Sequence, residues 1–320
     1  PDPFPGAEAV LLDPTNPRAA TWWKGIVTGL LATGADGFMN DFGEQVQPGM
    51  HFADGSRGAT MHNRYPVLLQ RITRQATDAY ERAHGRRVGS TVFFTRAGYS
   101  ARPGSAAYES AAFPGDETND WDRATGLPSI VPDMLNRAVG GAPGFTTDIG
   151  GYASFHFAGG AWVSTSPELF VRWSQAAAFT PFFRVHNNGL AGQRMPWSYD
   201  RVTEERWTAA ARLHVRAEPL IRRLWTTFLR TGIPMTRPLW LADPGLRAGG
   251  HGDDEWLLGP DLLVAPVLTE GSVSRDVVLP RGCWRLHGTG SRLPGRRTVT
   301  VAAPIGSLPW LSRCGARPLR

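Results

Sequence analysis

Between residues 15 and 231 a short apolar run alternates with a helical pattern five times, and each run ends in polar or charged residues. The runs are 37–40, 90–95, roughly 108–113, 144–147 and 179–183. Alternation of this kind predicts an α/β fold, a parallel sheet with helices outside it. In barrels built this way the chemistry collects at the carboxyl ends of the strands. Asp41, Arg96, Asp116, Asp148 and the pair Arg184/His186 all fall at such ends. Five charged strand ends in succession predict one site on one face of a (β/α)8 barrel. Five strands do not close a barrel of eight. The expectation is therefore a partial barrel, strands 4–8, lacking about three strand–helix units.

Local signals fix the elements. Residues 1–14 are Pro-rich and read as extended. Asn16-Pro17 then starts a helix, with Asn16 as N-cap and Pro17 in the first turn. Trp22, Trp23, Ile26, Val27, Leu30 and Leu31 give it an apolar face at three- and four-residue spacing, and Gly34 ends it. A second helix begins near Asn63, with Leu68, Leu69, Ile72, Ala76, Ala79 and Ala83 as its inner stripe and Gly85 as its stop. Further helices are expected over 127–139, from Ser166-Pro167-Glu168 onward, and over 203–230. Beyond Gly232 come short β-rich runs (235–241, 262–268, 277–279, 298–301) separated by Gly and Pro, which predict a small antiparallel β domain. The expected organisation is a partial catalytic barrel over 1–231 and a C-terminal β-sandwich-type domain over 232–320.

Composition removes several classes of function. Hydrophobic residues make up 42% of the chain and there are 12 Trp, as in a packed globular protein. No apolar run approaches the ~20 residues of a membrane span. The net charge of +6 is carried almost wholly by arginines scattered singly or in pairs, Lys24 being the only lysine. No nucleic-acid-binding motif accompanies them, so neither nucleic acid nor membrane is expected as a partner. The eight His show no metal-ligand spacing, and there is no GxSxG elbow or phosphate-binding Gly loop. No metal or cofactor is expected. Cys283 and Cys314 fit one late disulfide or two free thiols. With no leader-like segment in view, a cytoplasmic location is the expectation.

Eight motifs carry a resemblance: DGFMNDFGE (36–44), HN (62–63), FTRAGY (94–99), FPGDETNDW (113–121), TDIGGY (147–152), FTPFFRVH (179–186), TRPLW (236–240) and LGPDLLVAPV (258–267). From Phe4 nearly to the C-terminus the chain resembles glycoside hydrolase family 31, retaining α-glycosidases with a (β/α)8 barrel followed by β domains. The resemblance implies Asp41 as nucleophile and Asp116 as acid/base. A retaining glycosidase needs one ionised carboxylate to attack the anomeric carbon. It needs a second carboxyl about 5–5.5 Å away to protonate the leaving oxygen and later activate water. By the same resemblance Arg96, Asp148 and His186 line the sugar pocket and Glu44 supports them. The alternatives are a structural salt bridge of Arg96 with Asp148 and a hydrogen-bonded structural His186.

Two positions depart from the family pattern. Phe113 stands where Trp is usual, and Glu117 stands where Asn or Gln is common, adding an acid beside the donor. Tyr152 bears on the substrate. Many members acting on neutral sugars have Phe there, whereas in sulfoquinovosidases a Tyr helps grip the sulfonate. An aromatic wall residue is the other reading of Tyr152. The implied function is hydrolysis of terminal α-linked glucose-like sugars, the partner being a carbohydrate. The alternatives are a sulfoquinovosidase, and a non-catalytic fragment or half of a split enzyme. Open sheet edges lead to the expectation that the chain expressed alone is inactive and poorly soluble. The oligomeric state is left open.

Overall fold

The computed structural model describes residues 10–100, 104–153, 164–188, 194–246 and 253–319, so the first nine residues of the Pro-rich opening lie outside the described residues. The chain divides into two units, Pro1–Ala111 and Ala112–Arg320.

The first unit contains α1 (Pro17–Ala32), β1 (Gly37–Asn40), α2 (Gly58–Met61), α3 (Tyr65–Ala83) and β2 (Val92–Thr95). Asn16 caps α1 by accepting the Arg18 N–H at 2.9 Å. β1 and β2 run parallel in a register that pairs Gly37 with Val92 and Asn40 with Thr95. Only glycine fits at 37, because a Cβ there would lie 2.3 Å from the Val92 carbonyl oxygen. Beside β2 begins β3 (Ala111–Ala112), as the Ser110 N–H donates to the Phe93 carbonyl.

The helix faces differ from the sequence expectation. On α1 only Val27 and Leu31 are buried, packed on Ala76 of α3, while Trp22, Ile26 and Leu30 are exposed. One neighbouring helix covers a narrow stripe, not the whole apolar arc. On α3 the expected Ala79 and Ala83 face solvent, and Thr73, Thr77 and Glu81 are buried instead. These polar groups are buried because they are bonded. Thr73 accepts the Trp23 Nε1–H at 2.8 Å, and Glu81 accepts the backbone N–H groups of Gly89 and Thr91.

In the second unit lie α4 (Ile130–Val139), α5 (Pro167–Ala177) and α6 (Arg201–Thr231). Ser166 caps α5, Asp200 caps α6, and Gly232 closes α6 with φ of 70°. The run at 144–147 forms one parallel bridge, Phe145 to Ala112, and the residues just past the two runs form another, Asp148 to Arg184, in place of the strands predicted at 144–147 and 179–183. Positive φ at Gly150 and Gly151 turns the chain away just past Asp148. Pro181 lacks the N–H that would extend the other run.

The chain then enters β4 (Thr236–Arg237), α7 (Leu239–Ala242), β5 (Trp256–Leu258), β6 (Leu262–Val264), β7 (Ser274–Leu279), β8 (Cys283–Leu286), β9 (Arg292–Pro294), β10 (Arg297–Ala302) and β11 (Trp310–Arg313). The expected strand at 235–241 stops after two residues because Pro238 has no N–H for the ladder. A six-stranded antiparallel sheet has the order β4-β5-β6-β11-β8-β9, and β7 pairs with β10. Its period of two feeds two cores. Trp256, Leu258, Leu262 and Val264 pack with Trp173, Phe170 and Leu224 of the helices. Leu257, Leu263 and Leu311 pack with Val277, Leu279 and Trp284. Cys283 and Cys314 form a disulfide, which decides between the two readings of these cysteines. The buried Arg172 of α5 donates to the carbonyls of Ser272, Ala303, Pro304 and Ser307.

Candidate active site

The candidate residues group within the two units, with Asp41, Glu44 and Arg96 in the first and Phe113, Asp116, Asp148, Tyr152 and His186 in the second. Asp41 and Arg96 are the residues that follow the paired Asn40 and Thr95, so the parallel register itself sets them side by side. Arg96 Nη1 lies 3.5 Å from Asp41 Oδ1, and Arg96 Nη2 binds Glu44 Oε1. The same guanidinium lies 4.7 Å from the centre of the Phe42 ring. Phe42 and Gly43 both have positive φ, 63° and 121°, and Asp41 Oδ1 accepts the Phe42 N–H at 2.8 Å. A non-glycine residue in that region is strained, and such strain persists only where the surroundings enforce it. The end of β2 is braced from behind by Gln70, whose amide donates to Thr95 Oγ1 and to the Ala97 carbonyl.

In the second unit Phe113 is buried just past β3, and the Arg184 guanidinium lies 5.1 Å from its ring centre. Asp116 is exposed and the next residue, Glu117, is buried. Asp148 is buried and meets Arg184 Nη2 at 2.5 Å through Oδ1. The Tyr152 ring stacks on His186, with centres 5.1 Å apart and planes 25° from parallel. The N–H groups of Tyr152 and Ala153 both donate to the Glu117 carbonyl at 2.8 Å. Burial, and Asp148 second, push the Glu117 carboxyl well above the usual carboxylate range.

Sequence reasoning missed Arg194. It is buried, and its Nη1 donates to the Gly150 carbonyl at 2.9 Å, the Gly151 carbonyl, Asn119 Oδ1 at 2.7 Å and Thr165 Oγ1 at 3.1 Å. Its Nη2 reaches the Tyr152 carbonyl at 3.0 Å. Burial lowers it to about 10, still charged at neutral pH. Its partners lie 29 to 75 residues away in sequence, so no local pattern marks it. Each unit thus offers its own chemistry. The first fixes a carboxylate with an arginine, and the second sets an exposed acid beside a buried polar network and an aromatic pair.

The family model for the glycosyl hydrolases family 31 TIM-barrel domain matches residues 2–224, and that for the family 31 C-terminal domain matches 232–316. A sulfoquinovosidase of Escherichia coli (strain K12) is 31% identical over 95% of this chain and 43% of its own length. The sulfoquinovosidase of Agrobacterium fabrum is 31% identical over 92% of this chain and 43% of its own. Among solved structures, a family 31 sulfoquinovosidase from E. rectale with an aza-sugar inhibitor superposes with a TM-score of 0.83 at 30% identity. It covers 95% of this chain and 44% of that one. A Flavobacterium johnsoniae dextranase complexed with glucose gives 0.82 at 26% identity, over 98% of this chain and 38% of that one. The chain therefore spans less than half the length of these relatives.

Proposed function

The chain belongs to glycoside hydrolase family 31, with the family's TIM-barrel domain followed by its C-terminal β domain, and on that footing we propose that it serves the retaining hydrolysis of terminal α-linked glucose-like sugars. The observation that carries this reading is Asp41, at the carboxyl end of β1, in a strained turn and gripped by Arg96. In the proposed reaction the Asp41 carboxylate attacks the anomeric carbon while Asp116 gives its proton to the departing oxygen. A glycosyl–Asp41 ester forms and the aglycone leaves as an alcohol. Asp116, now a base, takes a proton from water, and the water oxygen attacks the anomeric carbon. Asp41 is released and the configuration is retained. Arg96, Asp148 and His186 hold sugar hydroxyls, Tyr152 and Phe113 supply aromatic surface, and Glu44 steadies Arg96. The catalytic barrel is assigned to 1–231 and the β-sandwich-type domain to 232–320.

The test is hydrolysis of an aryl α-glucoside followed by proton NMR. The α-anomer is expected as first product, and the β-anomer appearing first would overturn the mechanism. Asp41→Ala is expected to abolish turnover on every substrate. Asp116→Ala is expected to spare kcat/KM on aryl glycosides with acidic leaving groups while losing roughly 10²–10⁴-fold in kcat/KM on alkyl glycosides, which need the proton. Equal losses on both would remove Asp116 from the donor role.

A sulfonated α-glucoside is the second reading of the substrate. It is favoured by Tyr152, whose ring stacks on His186, and by the two sulfoquinovosidases at 31% identity.

A further inference from the structure

Glu117 is a carboxyl group shut off from water, with one oxygen bonded and the other not. The residue is 4% exposed, and its buried Oε2 has no hydrogen-bond partner. Oε1 accepts the Thr147 hydroxyl at 2.6 Å. Thr147 Oγ1 itself accepts the Trp173 Nε1–H at 2.9 Å, which leaves the threonine's proton for Glu117. The Glu117 carbonyl receives the N–H groups of Tyr152 and Ala153. One residue therefore ties the loop of Asp116 to the turn that carries Asp148 and Tyr152, by a side-chain bond and by two backbone bonds.

Asp148 of the 144–153 segment and Arg184 of the segment after α5, bound to each other, act on Glu117, and Arg194 is bonded to the Gly150 and Tyr152 carbonyls of the same turn. α5 contributes the neutral Trp173, which donates to Thr147 Oγ1. A second buried carboxylate beside Asp148 would hold two anions close together away from water, and burying a charge is costly. With a proton on Oε2 the group keeps the Thr147 bond and has the shape of a glutamine.

We propose that Glu117 is a positioning residue for the hydrolysis assigned above, holding the Asp116 loop against the Asp148–Tyr152 turn, and that it sets the alkaline limit of the reaction. The inference rests on the retaining-hydrolase reading. Burial and the nearby Asp148 keep Glu117 protonated well past the usual carboxylate range. Once pH rises far enough to ionise it, the new anion competes with Asp148 for Arg184. The turn bearing Tyr152 loosens through its bonds to the Glu117 carbonyl.

Two measurements on the full chain test this, each with Glu117→Gln as control. In an infrared titration, a protonated-carboxyl band is expected to persist above the usual carboxylate range and to be missing in E117Q. No such difference would overturn the proposal. In a pH profile of kcat on an activated aryl α-glycoside, protonation by Asp116 matters little, so its ionisation does not shape the alkaline limb. The parent protein is expected to lose activity on the alkaline side. E117Q is expected to retain it there, with kcat at lower pH within about threefold of the parent. Identical alkaline limbs would overturn the proposal. Should E117Q fail to fold, Thr147→Val replaces it. Removing a bond that favours the ionised form raises the pKa, so the limb is expected to move to higher pH, and an unmoved limb counts against the proposal. If the parent turns over no α-glycoside, the infrared comparison still decides for or against a protonated Glu117.

Discussion

Tyr152 is fixed mainly through its backbone. Its N–H is held by Glu117, its carbonyl accepts from Arg194, and its ring rests on His186. With its backbone and ring held in this way, Tyr152→Phe changes the hydroxyl and leaves these contacts in place. If the hydroxyl binds a sulfonate, its loss removes a hydrogen bond to a charged group, about 1.5–3 kcal/mol. kcat/KM on an aryl α-sulfoquinovoside is then expected to fall roughly ten- to a hundredfold, with the aryl α-glucoside unaffected. Unchanged kinetics on the sulfonated sugar would leave the neutral-sugar reading in place. At this scale the sequence was legible where neighbours in space follow neighbours in a strand register. Asp41 and Arg96 meet because each follows a residue of the Asn40–Thr95 pair. Arg194 and the burial of Glu117 were not legible, because their partners arrive from segments far along the chain.

Among the elements, α3 departs most from its pattern. Its last turn buries Glu81, whose carboxylate accepts N–H groups from Gly89 and Thr91 and the Ser90 hydroxyl. Burial raises its pKa, but these bonds outweigh it and hold the carboxyl below the usual range. The helix thereby organises the loop that leads into β2. Glu81→Ala leaves two backbone donors without their acceptor, at about 1–3 kcal/mol each. A destabilisation of about 3 kcal/mol is expected in urea unfolding. A change below about 0.5 kcal/mol, the range of ordinary surface substitutions, would show that water replaces the carboxylate. Helix starts were legible because Asn16 and Ser166 announce themselves as caps. Several strands were not. In β5 all three residues are buried, so no alternation marks it, and β8, β9 and β11 are three or four residues long.

For the molecule as a whole, the antiparallel sheet carries a titratable weak point. Glu255, just before β5, is 1% exposed, with Arg275 Nη2 at 3.7 Å and the Val278 N–H at 3.0 Å. Burial, helped by Asp254 and opposed by Arg275, pushes it up to about 8. The folded chain therefore keeps a proton that the unfolded chain releases from about 4.5 upward. Stability is full below that lower value, falls as pH rises toward about 8, and then levels off. Glu255→Gln removes this ionisation, so the loss of stability between pH 5 and pH 9 is expected to shrink by a few kcal/mol, on the order of 1.4 for each tenfold difference in proton affinity between the folded and unfolded chain. Equal losses in both proteins would clear Glu255. The alternating helices and the antiparallel end were legible from period and punctuation. The sharing of β5 and β6 between two cores was not, because it depends on which side each fully buried residue faces. Arg172 carries a consequence for ancestry and for protein engineering. Its four carbonyl acceptors lie at 272 and between 303 and 307, a hundred or more residues downstream. A chimaera spliced at Gly232, where composition marks a seam, would marry this guanidinium to a foreign set of carbonyls. Recombination can therefore exchange the C-terminal strands only between parents that keep an arginine on this helix and the same two loops opposite it.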